Sequence, residues 1–539
     1  MKFKKFSAIF MVLIFILCFC SCKKTPESSS VTSEGTVPQK SQKHYLTLLY
    51  SAADTFNPYT AKTDINRQLC QLLYDPLVSL DNEFNPVYKI ADSVKTEGNQ
   101  CTVTLKTVKF SDSSTVTADD VVYSCNLAKS SGGIYATSLY EVSSVSAKNS
   151  TTVIFKLTKA DPYFQNLLTF PIIKSGSEKI TDSDSVLQPP IGSGRYKVDD
   201  DRQGLVINNN YHEKGGSITE IRLINAPDSE SVAHYVEVGA ADIYYSNISN
   251  GNILRMSGKK LDVNLNSMIY IGINQNNEAL SESELRQAIS SGIDRKKICQ
   301  DAYYNNALPA TGFFTPVWSE TKSVQNIQIQ SDSQITVENL EKIGYNKLDK
   351  KNNRVNSSGK RLSFTLLVNS ENRLKATAAQ LIAGQLKSYG INVTLIEKPY
   401  EQYIERLKNG DFDLFLGEVR LTDNMDISSM VTEGGTAAYG LKNSTKKTDN
   451  SDKANSKAES GSQKDDNTDE VANMSQDVVN GFYSGKNTIA DVASVLQTEM
   501  PFVPVCYRTG VLFFNDNIEN VDNSSASDIY FSIESYIYN

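Results

Sequence analysis

LSFTLLVNSENRLKATAAQLIAGQLKSYGINVTLIEKPYEQYIERLKNGDFDLFLG, residues 362–417, is the stretch on which the fold turns. LSFTLLV is a short apolar run of the kind that forms a buried strand. Asn372 to Ser388 then places Ala376, Ala379, Ile382 and Leu386 at helical spacing. Gly390 supplies the left-handed stop that helices favour, and Ile391, Val393 and Leu395 alternate as in a strand. Tyr400 to Leu407 predicts another short helix, Gly410 ends it, and FDLFLG predicts a third strand. Strand, helix, strand, helix, strand with short links is the pattern of a mainly parallel sheet, so this half is α/β. Upstream, SESELRQAISSGIDRKKI (281–298) opens with Ser281 and Glu284 at capping-box spacing and lays Leu285, Ala288 and Ile289 along one face. Residues 101–200 read differently: short alternating strands, CTVTLK and TTVIFKL, surround one helix that begins at Thr117. A β-rich module and α/β material share one chain.

The 539 residues allow two or more domains with sizeable cores, and 40% hydrophobic with 22% charged residues is an ordinary globular balance. The chain opens with Lys2, Lys4 and Lys5, followed by an uncharged run from Phe6 to Cys20. That run is short for a membrane span and right for a secretory signal. Its end is similar to a bacterial lipoprotein signal, in which a small residue precedes the lipid-bearing cysteine; Cys22 follows Ser21 and is the candidate. Residues 1–21 are therefore expected to be a signal peptide, and 22–43, rich in Ser, Thr, Pro, Lys and Glu, a flexible stalk. A similar polar stretch at 442–473 is expected to be a disordered insertion within a folded domain. The net charge of −8 argues against nucleic acid as a partner. Beyond Cys22 the cysteines are Cys70, Cys101, Cys125, Cys299 and Cys506, an odd number without a CxxC pair, which speaks against a disulfide framework.

Catalytic and cofactor signatures are missing. His44, His212 and His234 are scattered, and no HExxH, GxSxG or GxxxxGK[ST] occurs. GSGRY (192–196) reads as a turn before a strand rather than a phosphate loop. Asp119 and Asp120 are adjacent on a helix start and complement its dipole better than they pair for acid–base work. No cofactor and no enzymatic activity are expected.

TVTLKTVKFSDSSTVTADDVVYSCNLAK (102–129) resembles the signature of the family 5 extracellular solute-binding proteins, peptide-binding lipoproteins that feed ABC importers. The resemblance continues in order through IGSGRYKV (191–198), ELRQAISSGIDRKKI (284–298), residues 353–395, NGDFDLFLG (409–417) and EMPFVPVCYRTGVLFF (499–514). It departs at two places. Ser113 stands where family members commonly have glycine, and Arg420 stands where a tryptophan usually precedes two acidic residues, here Asp423 and Asp426.

The resemblance implies a two-lobed, type II periplasmic-binding-protein-like fold with an extra β-rich domain. Lobe one would be 44–270, with 66–184 as its extra domain, completed by 506–539; lobe two would be 271–505. It implies capture of a peptide in the cleft, delivery to an ABC permease whose ATPase subunits supply the energy, a lipid anchor to the membrane, and a monomeric state. Oligosaccharides, nickel complexes and other small solutes are alternative ligands. A surface hydrolase or sensor on the same fold is an alternative class. The ligand residues it implies are Asn57, Tyr59, Trp318, Glu418, Arg420, Asp423 and Asp426. Asp423 would take a peptide's amino terminus or act as a loop residue. Arg420 would meet a ligand carboxylate or pair with Glu418 or Asp423. Trp318 would reach the cleft or anchor lobe two.

Overall fold

The structure, a computed structural model, describes residues 43–182, 188–201, 203–213, 216–249, 251, 254, 256–442 and 473–539. The leader, Cys22, the stalk apart from Lys43, and nearly all of the 442–473 stretch lie outside the described residues. No helix among the described residues is long and apolar enough to cross a membrane.

The stretch 362–417 folds as its periodicity dictates. Strand Ser363–Asn369 runs parallel to Asn392–Lys398 on one side and to Leu414–Arg420 on the other. Helices Arg373–Ser388 and Tyr400–Asn409 make the crossovers. The Asn372 side chain caps the first helix by accepting from the Lys375 N–H, and Gly390 and Gly410, at φ 81° and 69°, turn the chain out of the two helices. Leu374, Ala378, Ala379, Ile382 and Leu386 form its buried face. The capping box expected at Ser281 does not form. The helix begins later, at Ser283, because the Ser281 hydroxyl donates to the Glu278 carbonyl inside the preceding turn. The box forms instead at Thr117, where Asp120 accepts from both the backbone N–H and the hydroxyl of Thr117.

The β-rich module is an antiparallel sheet ordered Ala91–Glu97, Gln100–Leu105, Thr152–Leu157, Val142–Asn149. Cys101, Val103 and Leu105 alternate inward with Val153, Phe155 and Leu157 against helix Ala118–Ser130, so period-two patterning sets the core. A separate four-stranded sheet joins Tyr45–Tyr50 in parallel to Glu220–Asn225, followed by Gly204–Ile207 and Tyr196–Val198. IGSGRYKV belongs here as a close approach of two backbones: a Cβ on Gly194 would sit 2.4 Å from the Leu73 carbonyl carbon, and one on Gly192 2.1 Å from the Leu73 oxygen. Ser113, the departure from glycine, holds φ 74°, a conformation that glycine adopts without strain.

Two long strands connect the halves. Lys259–Ile273 runs antiparallel to Phe502–Phe514 over nearly its full length, with its register broken between Asn264 and Met268. At one end the second strand pairs with Ile243–Ser246; beyond the break the first pairs with Leu414–Arg420. One seven-stranded sheet therefore passes through both lobes. At the crossing sits a buried ionic knot. Glu418 accepts from Arg508 Nη1 (2.8 Å) and Ser267 Oγ (2.8 Å) on one carboxylate oxygen and meets Lys375 Nζ (2.7 Å) on the other. Burial opposes ionisation, but Lys375 and Arg508 overcome it and hold the Glu418 carboxyl below its ordinary range. Arg508 also donates through Nη2 to the Asn247 carbonyl, tying the knot to the segment after Ile243–Ser246.

A second connection is a clasp between residues 159–166 of the β-rich module and 423–426. Lys159 pairs with Asp426 at 2.9 Å, Asn424 Nδ2 donates to Asp161 at 2.7 Å, and Asn166 Nδ2 donates to the Asp423 carbonyl at 3.1 Å. Burial pushes the Asp161 carboxyl up to about 6; Asp426 adds to the rise, while hydrogen bonds from Asn424 and the Tyr163 N–H and the charge of Lys159 oppose it. A carboxyl raised in the folded state binds its proton more tightly there than in the unfolded chain. Its stabilising contribution is complete below about pH 4 and is lost as pH rises through about 6. Urea titrations of the wild type and Asp161→Asn should differ by an amount that changes across pH 4–6, the wild type losing ground as pH rises, and that stays constant above pH 7. A pH-independent difference would show that Asp161 titrates normally.

Candidate functional site

Strand Leu414–Arg420 ends at the junction of the two lobes, where α/β sheets present ligands at their carboxyl edges. Against that end lies a cavity of about 380 Å³. Helix Asp64–Leu73 supplies Asp64, Arg67, Gln68 and Gln71, one polar stripe at helical spacing. Strand Ile243–Ser246 supplies Tyr244, Tyr245 and Ser246, with Asn247 and Ser249 following, and Arg420 faces them from the other lobe. The strand is positioned by pairing with Val511–Phe514, and Arg420 by pairing with Ser267, so both walls hang on the two crossing strands. The cavity combines aromatic walls with neutral amides and hydroxyls, a mixture suited to a polar organic ligand.

Arg67 pairs with Asp64 at 2.7 Å, whereas Arg420 is exposed and makes no ion pair among the described residues. Its charge still reaches two neighbours. Burial pushes the Tyr245 hydroxyl up to about 12, with Arg420 and Arg508 opposing. Burial also raises the Asp423 carboxyl, and Arg420 is the opposing charge. No hydrogen bond engages the Asp423 carboxylate among the described residues, although its backbone carbonyl is held by Asn166.

The other sequence-selected residues are placed differently. Glu418 is engaged inside the protein by Lys375, Arg508 and Ser267, and it does not line the cavity, so the structure places it in the ionic knot rather than in the cavity wall. Asp426 is spent on Lys159 and on capping the Ser428 N–H. Asn57 closes a turn by accepting from the Tyr59 N–H, and the Tyr59 hydroxyl donates to the Pro171 carbonyl; both stabilise the loop before helix Asp64–Leu73. Trp318 is 3% exposed and sits in an aromatic cluster with Phe314, Phe482 and Tyr163, outside the cavity. Tyr163 belongs to the clasp, so Trp318 packs edge-on against a residue of the β-rich module. Of the seven, Arg420 alone lines the cavity, with Asp423 three residues on. The polar face of helix Asp64–Leu73 escaped the sequence reading, although its i, i+3, i+4, i+7 spacing was visible there. No group of three or more His, Cys, Asp or Glu residues able to hold a metal ion occurs among the described residues.

Known proteins share this fold. The profile of the bacterial extracellular solute-binding proteins, family 5, matches residues 85–440. The oligopeptide-binding protein AppA of Bacillus subtilis is 26% identical over 456 residues, covering 79% of this chain and 83% of AppA. Its structure in complex with a nonapeptide superposes with a TM-score of 0.56 at 20% identity, over 92% of this chain and 100% of that one. A nickel ABC transporter protein from Bacillus halodurans superposes with a TM-score of 0.67 at 16% identity, over 92% and 100%. The likeness to these structures concerns the fold, and it joins proteins with different cargoes. The chain belongs to the bacterial extracellular solute-binding proteins of family 5, binding proteins of transport systems that work outside the cytoplasm and are not enzymes.

Proposed function

We propose that this protein captures peptides in the cavity at the end of strand Leu414–Arg420 and delivers them to an ABC permease powered by its ATPase subunits. Lobe one, 44–270 with 506–539, and lobe two, 271–505, close about the crossing strands, and the closed monomer is the form the permease meets. The observation that carries the reading is the Asp423 carboxylate. It is half-buried, has no hydrogen-bond partner among the described residues, and follows three residues after Arg420, which lines the cavity. A peptide ammonium would supply the missing charge, and closure would strengthen the pair by excluding water. The relatedness to AppA, named as an oligopeptide-binding protein, agrees. Oligosaccharide is the second reading, favoured by Tyr135, Tyr244 and Tyr245 in the cavity wall.

Asp423→Asn should weaken peptides with a free amino terminus by about 2–5 kcal/mol and leave their N-acetylated forms unchanged, as measured by calorimetry. Equal losses for both would return Asp423 to a loop role, and tight binding of an oligosaccharide without any peptide binding would favour the second reading. The same proposal places the protein on the outer face of the cell membrane through a lipid on Cys22. Cys22→Ala should fractionate as soluble or unprocessed chain; an unchanged, lipid-bearing membrane fraction would contradict the anchor.

A further inference from the structure

The charges in the cavity do not balance. Three charged side chains line it, and two of them, Asp64 and Arg67, satisfy each other at 2.7 Å. The third, Arg420, has no acidic partner within ion-pair distance among the described residues. The nearby carboxylates are unsuited to the role. Glu418, two residues earlier, is already paired with two cations, Lys375 and Arg508, and Asp426 is paired with Lys159. Asp423 lies within electrostatic reach of Arg420 but does not bridge to it. The remaining wall is neutral: tyrosines, glutamines, serines and one asparagine, with Ile65, Ile134 and Ala526. One arginine without an ion-pair partner among the described residues therefore lines a cavity in a chain of net charge −8, and its guanidinium carries five donors. Backbone pairing with Ser267 fixes the root of this side chain on the rigid crossing sheet, so its position is set before any ligand arrives.

We propose that Arg420 is a specificity-determining residue that pairs with a ligand carboxylate, so that the preferred cargo carries a negative charge close to its amino-terminal end. This rests on the peptide reading above, in which Asp423 receives the ammonium. Because Arg420 ends strand Leu414–Arg420 and Asp423 follows three residues later within its electrostatic reach, the carboxylate that meets Arg420 belongs to one of the first residues of a longer peptide, or is the terminal carboxylate of a very short one. The planar fork of arginine receives a carboxylate through two parallel hydrogen bonds, which a neutral amide cannot reproduce. A ligand with a cationic side chain at this point would meet like charge, which gives rejection as well as attraction.

The test uses wild-type protein and Arg420→Gln, with matching thermal unfolding to show that this exposed substitution leaves the fold intact. The probes are pentapeptide amides carrying glutamate or glutamine at position one, two or three, and trialanine with a free or amidated carboxyl end. In the wild type, glutamate at one of these positions, or the free carboxylate of trialanine, should tighten binding by about tenfold to a hundredfold over its neutral partner. Arg420→Gln should abolish that difference, so that each charged peptide and its neutral partner bind alike. Which pair shows the difference identifies a side-chain or a terminal carboxylate as the source. Equal binding of charged and neutral partners to the wild type overturns the proposal while the peptide reading stands, as does an Arg420→Gln variant that keeps the full difference between charged and neutral partners. Failure of every peptide to bind the wild type overturns both.

Discussion

The ionic knot around Glu418 holds the molecule's geometry together. Its members come from a crossing strand (Ser267), its partner (Arg508), the strand that carries the site (Glu418) and the first turn of the helix that covers the sheet (Lys375). Removing two charges from water costs several kcal/mol each, and the attraction repays it only when hydrogen bonds use the remaining lone pairs. Here both carboxylate oxygens are engaged. Loss of one partner from such a buried arrangement typically costs about 3–5 kcal/mol, because an uncompensated charge stays behind. The knot's value lies in register: it fixes where strand Leu414–Arg420 ends, and hence where Arg420 and Asp423 stand.

Around this point the two lobes touch in two different ways. The crossing strands form a hydrogen-bonded pair whose register shifts twice, between Asn264 and Met268 and between Ile269 and Tyr270. The clasp of residues 159–166 on 423–426 is a side-chain contact, polar at Lys159, Asp161 and Asn166 and aromatic where Tyr163 meets Trp318 at 5.0 Å between ring centroids. The Asp423 turn is thus held from behind by the β-rich module, through its own carbonyl, while its carboxylate remains unengaged.

The α/β half was legible because buried parallel strands and amphipathic helices leave strong periodic signals, and 362–417 contains three such strands in a row. The Ser281 capping box was misread, since hydroxyl spacing alone does not say which carbonyl or N–H the hydroxyl meets. The site was legible in part. Asp423 and Arg420 stand out because they follow a strand end, a position the sequence reveals. Glu418 looks identical in sequence, yet its partners Lys375 and Arg508 lie 43 residues before and 90 residues after it, and only folding brings them together. Trp318 shows the same limit: an aromatic cluster interrupted by prolines fits a ligand wall as well as a packed core, and its neighbour Tyr163 comes from another module.

On the reading proposed above, ligand held between the lobes draws them together about the crossing strands. Small-angle X-ray scattering of the exported body, with and without a saturating mixed pentapeptide library, tests this directly. The radius of gyration should fall on addition of peptide and return on its removal by dialysis. Binding verified by calorimetry with an unchanged radius of gyration would contradict it.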